Sequence, residues 1–310
     1  MKFPPCGTDR REAFGSRQDV LQFATFWRKE PRFWQKRWSS GLSDRITPQH
    51  HPAYEIVGGA TRSGLVILCD HAQATMPPEY GDLGLPPEQL ARHIAYDIGA
   101  ETVSRTLAAA LDVPAVMSRF SRLLIDPNRG RDDPTLVMRI ADGALVPGNA
   151  RIGETEIRER IERFYTPYDS AIEATLAQIA ATRVPIILAV HSFTPEMKGI
   201  ARPWHATVIW DFDPRFNLAV LRALEGEPGL IVGENEPYQG GYTGDTMDRH
   251  CLAHGYPHAL VEIRQDLIAG EADAKAWGER LARLVQPLLD DPALAEQAWF
   301  GAHPPPRTRR

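Results

Sequence analysis

Cysteine is scarce in this chain: three residues in 310, at Cys6, Cys69 and Cys251. So few and so widely spaced, they build neither a disulfide framework nor a zinc ribbon, and a reducing cytoplasm is the expected compartment. Long apolar runs are missing too, since none approaches the roughly 20 residues needed to span a bilayer. The opening stretch, "MKFPPCGTDRREAF", lacks the apolar core of a signal peptide. Positive charge is not in excess: 35 Lys and Arg stand against 40 Asp and Glu, a formal net charge of -5. Neither a basic field for nucleic acid nor a polybasic membrane patch is therefore expected. There is no G-x-S-x-G elbow, no P-loop and no G-x-G-x-x-G after a strand, which removes the common nucleophile and nucleotide motifs.

What is present is 43% hydrophobic and 24% charged residues, enough for one large α/β domain. Residues 1–50 stand apart. "FATFWRKEPRFWQKRW" has no clear periodicity and reads as a loosely ordered extension, or as an aromatic-basic arm. The closing "GAHPPPRTRR" reads as a disordered tail. The expected divisions are 1–50, a domain at 51–290 and a tail at 291–310. Inside the domain, strand-like runs alternate with helical patterns. The runs are "GLVILC", "VPAVMS", "RLLID", "PIILAVHS", "ATVIW", "GLIVG" and "HALVEIR". Helical spacing marks residues 87–111, 155–181 and roughly Ala272 to Leu289. A single α/β domain with a central mixed sheet flanked by helices is expected.

In open α/β sheets, ligands bind outside the carboxyl ends of the strands. The residues following each run are therefore informative. Asp70 and His71 follow "LVILC", Asp126, Asn128 and Arg129 follow "RLLI", and His191 and Ser192 follow "IILAV". Asp211 and Asp213 follow "TVIW", and Glu262 and Arg264 lie in or end "ALVEIR". Two imidazoles, several carboxylates and an Asn-Arg pair at one edge suit a metallohydrolase. Catalytic zinc takes three protein ligands, commonly two His and a carboxylate, and keeps a position for water. A free carboxylate takes the water's proton and an Arg fixes an anionic substrate. Glu262 sits in an apolar run, where an ionised carboxylate is costly unless paired or coordinated. The third ligand stays open at this point. "EQLARHIAYDIGAE" reads as a helix placing His93 and Asp97 at i and i+4, which can hold a metal or make a surface pair. "YQGGYTGD" reads as a turn, or as a flexible loop whose Tyr238 or Tyr242 covers a substrate.

Taken in order, "DHAQATMP", "RHIAYDIGA", "SRFSRLLIDPNR", "AVHSFTP", "NEPYQGGYTGD" and "VEIRQDLI" resemble the N-formylglutamate amidohydrolase family, from about Gly64 to Leu284. The resemblance implies a phosphorylase/hydrolase-like, zinc exopeptidase-like fold and one Zn2+. It implies cleavage of N-formyl-L-glutamate, or a related N-acyl amino acid, to formate and glutamate, the last step of one histidine-degradation route. His71 and His191 would then be metal ligands and Asp97 the acidic third. The His-x-x-Glu of carboxypeptidases is absent, because Ala74 stands three after His71, so His93 or Asp70 are the alternatives to Asp97. Glu262 falls at the general base or acid, and Asn128 with Arg129 inherits the hold on a substrate carboxylate. Arg122 is expected to stabilise the oxyanion, Ser192 and Tyr242 to touch substrate, and Asp70 to orient a ligand. The expected partner is a small N-acyl amino acid, with no nucleic acid or membrane; oligomeric state is open. Rival readings are a zinc amidase for another N-acyl or cell-wall amide, and a non-catalytic binding protein on the same fold.

Overall fold

Runs of Val, Ile, Leu and Ala without polar interruption are what a strand buried on both faces requires, and they form the middle of this molecule. The computed structural model describes residues 51–301. The extension expected at 1–50 and the end of the tail, 302–310, lie outside the described residues. Seven strands build one sheet: β1 Tyr54–Val57, β2 Leu65–Cys69, β3 Ala115–Ser118, β4 Ile186–Phe193, β5 Ala206–Ile209, β6 Val232–Glu234 and β7 His258–Arg264. Their order is β1-β3-β2-β4-β7-β5-β6. Strands β3, β2, β4 and β7 run parallel. β1 is antiparallel to β3, β5 is antiparallel to β7, and β6 follows β5. The sheet is mixed, as expected.

Helices cover both faces: α1 Ala100–Leu111, α2 Thr166–Ala180, α3 Pro214–Glu225, the short α4 Thr246–His250, and α5 Glu271–Val285. Alternation along β2 divides the core. Leu65, Ile67 and Cys69 pack with Val103, Phe216 and Trp277 from α1, α3 and α5. Val66 and Leu68 pack on the other face with Tyr168, Ile172 and Leu176 of α2.

Four expectations are corrected. "RLLID" is a run of turns rather than a strand, although Leu123, Leu124 and Ile125 are fully buried. Residues 87–111 are not one helix: only Pro87–Leu90 and α1 are helical. Gly99 interrupts them at φ 81, where a Cβ would meet the Ile268 carbonyl oxygen at 2.1 Å. His93 and Asp97 therefore share no helical face. Because β5 is antiparallel, it carries Asp211 and Asp213 to the opposite sheet edge, where Asp213 caps α3 by accepting from the Arg215 N–H. Finally, packing continues past 290: Leu294 is buried in the main core. The 155–181 pattern is helical throughout, with a wider π-turn at Ile161–Tyr165 just before Pro167, which has no N–H to give the ladder.

Candidate metal centre and active-site pocket

β2 and β4 lie side by side and parallel, so their carboxyl ends deliver Asp70–His71 and His191 to one place. Asp97 joins them from the turn before α1, anchored by its N–H to the His71 carbonyl oxygen at 2.9 Å. The two imidazoles meet edge to face, 5.1 Å between centroids. His71 Nε2 is 2.7 Å from Asp126 Oδ1, and His191 Nε2 is 3.2 Å from Asp70 Oδ2. Both Nδ1 atoms turn to Asp97 Oδ2, at 3.3 Å from His71 and 2.8 Å from His191. One ligand atom from each of the three buried residues lies within 4.8 Å of the others.

This arrangement tests whether a metal fits. A carboxylate only accepts, so each Nε2 carries the proton, and a neutral ring then presents Nδ1 as a lone pair. With both rings neutral, three acceptors converge with no donor among them, which is the two-nitrogen, one-oxygen set that a zinc-like cation needs. The same demand appears in the titration of the metal-free residues. Burial disfavours the His191 imidazolium, yet the Asp70 and Asp97 carboxylates outweigh it and hold its pKa well above the ordinary range. Burial likewise disfavours ionised Asp97 and Asp126, and neighbouring His71, His191 and Arg122 more than reverse it, holding both below the usual range.

A pocket of about 190 Å³ opens beside this cluster. Glu262 of β7 stands opposite His191 in register, so its side chain shares that face of the sheet. Its carboxylate has no hydrogen-bond partner among the described residues. Burial pushes its pKa up to about 7, against the opposing pull of His191. Arg122 grips Asp126 Oδ2 through Nε at 3.1 Å and Nη2 at 2.7 Å, with Nη1 3.5 Å from Asp97 Oδ1. Arg129 stacks 5.3 Å from the Tyr242 ring centroid and makes no ion pair among the described residues. Asn128 Oδ1 accepts from the Thr246 N–H at 3.0 Å. The 238–245 segment is irregular, with a turn at Thr243–Gly244, and Tyr238, Tyr242 and Asp245 of it line the pocket.

Other expected residues fall into different surroundings. Asp70 is occupied: besides His191 it accepts from Tyr168 Oη at 2.9 Å and Thr246 Oγ1 at 3.0 Å. It therefore backs His191, while the ring next to it in sequence is backed by Asp126. His93 lines the pocket but lies 3.5 Å from Asp142, outside the three-residue cluster. Ser192 donates its backbone N–H to Asp97 Oδ2 at 3.3 Å. It lines the pocket, and its hydroxyl is buried without a partner among the described residues.

Sequence reasoning missed Tyr168, which read as one more apolar position of α2, and gave Asp126 no role. It also missed Asp245, which lines the pocket, caps α4 and has its pKa raised to about 6 by burial. Arg202, beyond a polar turn, carried no sequence signal at all.

The profile of the N-formylglutamate amidohydrolase family matches residues 63–269. A gene product of Agrobacterium tumefaciens of solved structure is similar at 33% identity, with a TM-score of 0.73, covering 77% of this chain and 96% of that one. The N-formylglutamate amidohydrolase from Ralstonia eutropha JMP134 shares the fold at 19% identity and a TM-score of 0.59, over 76% of this chain and 97% of that one. No curated protein matches the chain. The profile spans every residue of the cluster and pocket described above, and with it the chain belongs to the N-formylglutamate amidohydrolase family, as a hydrolase acting on an amide bond.

Proposed function

We propose that the protein hydrolyses N-formyl-L-glutamate, or a closely related N-acyl amino acid, to the free acid and amino acid, with one zinc ion held by His71, Asp97 and His191. The observation that carries this reading is the convergence of three buried acceptors, each imidazole backed by its own buried carboxylate. A zinc ion bound there supplies Lewis acidity and an acidified water. Glu262 takes the proton from the attacking water and returns it to the leaving amine; a carboxyl titrating near neutrality suits both transfers. Arg129 and Asn128 hold a substrate carboxylate and so orient the scissile amide. Arg122, fixed by Asp126, brings positive charge to the carbonyl oxygen. Ser192 contributes through its backbone, and Tyr242 covers the substrate. The small pocket favours a metabolite over a cell-wall polymer.

We assign this activity to the unit that begins near residue 51. Both described cysteines, Cys69 and Cys251, are free thiols, in keeping with a reducing, cytoplasmic compartment; a place in histidine degradation follows only from the proposed substrate. No helix among the described residues is long and apolar enough to cross a membrane.

The full chain, stripped by chelator and then titrated with zinc, is to be assayed for glutamate release from N-formyl-L-glutamate. Zinc-dependent release is the expected result. Zinc uptake without turnover would remove the substrate, and failure to take up any divalent ion would remove the metal centre.

A further inference from the structure

Arg202 is a buried guanidinium, only 8% exposed, with no ion pair among the described residues. Holding a cation out of water without a counter-charge is unfavourable. Its surroundings show what would relieve it. Nη1 donates to Thr194 Oγ1 at 2.9 Å and to Tyr238 Oη at 3.1 Å, and the guanidinium lies 5.1 Å from the Tyr238 ring centroid. Arginine has donors only, so both hydroxyl oxygens are used as acceptors and both O–H protons must be directed elsewhere. Neither hydroxyl donates to another described group, and both residues line the pocket. Two oriented donors, with a positive charge behind them, thus form part of the pocket wall.

We propose that Thr194 and Tyr238, backed by Arg202, form a second anion subsite that holds the side-chain carboxylate of an acidic N-acyl amino acid. The inference deepens the amidohydrolase reading and rests on it for the identity of the acid. Arg129 belongs with the other carboxylate, the one next to the amide. Residues 126–129 form a tight turn, with the Arg129 N–H on the Asp126 carbonyl oxygen at 3.3 Å, so Arg129 stays close to the residue that backs His71. Thr194, in contrast, stands three extended positions beyond His191, roughly 10 Å further along the chain. Each guanidinium is paired with a tyrosine of the same loop, Arg129 with Tyr242 and Arg202 with Tyr238. Burial and the neighbouring Glu262 carboxylate raise the Tyr238 pKa, against a lowering by Arg202, so the phenol keeps its proton and remains a donor at neutral pH. Arg202 is a positioning residue here: its charge and its two hydrogen bonds aim the hydroxyls.

The test compares N-formyl-L-glutamate with its neutral counterpart N-formyl-L-glutamine. Arg202→Met and Tyr238→Phe should raise KM for the acid about 10- to 100-fold, the range of one lost charge-assisted hydrogen bond, with most of the loss in KM rather than kcat. The amide should lose far less, and Arg202→Lys should recover part of the difference. Tyr238→Phe removes only a hydroxyl, so it carries the prediction if Arg202→Met fails to fold. Calorimetry on the full chain supplies a readout independent of turnover: glutarate should bind tighter than butyrate, and both variants should erase that preference. Equal losses on acid and amide, or a glutarate preference that survives the variants, would overturn the subsite. An Arg202-dependent glutarate preference in a protein that does not cleave N-formyl-L-glutamate would overturn the substrate reading and leave the subsite standing.

Discussion

The two sides of the pocket are built on opposite deficits. On one side, Asp70, Asp97, Asp126, His71 and His191 crowd together fully buried, and the acceptors aimed at their centre outnumber the donors. On the other, Arg129 and Arg202 lie against tyrosine rings and make no ion pair among the described residues. The first side is short of a cation and the second is short of anions. In the proposed function a zinc ion would answer the first deficit and an acidic substrate the second, with the scissile amide where they meet. Glu262 belongs to neither group. It faces the metal cluster from β7 with a free carboxylate, which is what a group that must change its protonation state requires.

The sharpest way to separate chemistry from assembly is Glu262→Gln. Removing the proton carrier should lower kcat by about 10²- to 10⁴-fold while leaving zinc stoichiometry unchanged. The pH dependence sharpens the point. In the metal-free protein Glu262 titrates near pH 7, above its ordinary 4.5, so between those values the folded chain holds a proton that the unfolded chain has released. Its contribution to stability is then present at low pH and lost as pH rises through about 7. A bound cation favours the carboxylate, so zinc should move the acid limb of kcat/KM below pH 7. Melting temperatures against pH and the pH–rate profile check both statements. Near-normal turnover in Glu262→Gln would take this residue out of the reaction.

The acceptor-rich side can be weakened in steps. Asp126→Asn and Asp70→Asn remove the backing of one imidazole each, and such partners are worth about 10- to 100-fold in metal affinity. Zinc binding measured by competition with a chelating dye should show losses of that size for each, with the two acting on different rings. If Asp70→Asn left zinc affinity untouched while Asp126→Asn abolished folding, the pairing of carboxylate to ring would be structural only.

The sequence made much of this legible, for a physical reason. A strand buried on both faces is a continuous apolar run, and a polar residue at its end stands out against it. His71, His191 and Glu262 were visible in that way, as were the strands that carry them. Strand direction was not visible. Asp211 and Asp213 looked equivalent to the others until antiparallel β5 carried them to the far edge. The helical spacing that offers His93 and Asp97 together does not exist, because the chain runs in turns between Leu90 and α1; only the family resemblance favours Asp97. The structure still brings Asp97 to the two imidazoles, through a hydrogen bond to the His71 backbone that no periodicity encodes. Tyr168 and Arg202 were hidden for opposite reasons: one sits on an apolar stripe, the other just beyond a short hairpin, and only tertiary contact reveals what their polar ends touch.

The smallest expected effect distinguishes the two tyrosines of the donor-rich wall. Tyr242 is 53% exposed, and what it offers Arg129 is the face of its ring. A cation over an exposed aromatic face is worth about 0.5–1 kcal/mol, so Tyr242→Ala should raise KM for an acidic substrate by about two- to fivefold. Tyr242→Phe keeps that face and should behave as wild type. At Tyr238 the same Tyr-to-Phe change removes the hydroxyl that accepts from Arg202 and should be damaging. Steady-state kinetics on the two Phe variants therefore reads ring against hydroxyl within one loop. If Tyr242→Phe were as impaired as Tyr242→Ala, the phenol rather than the ring would be what matters there, and the two tyrosines would play the same part.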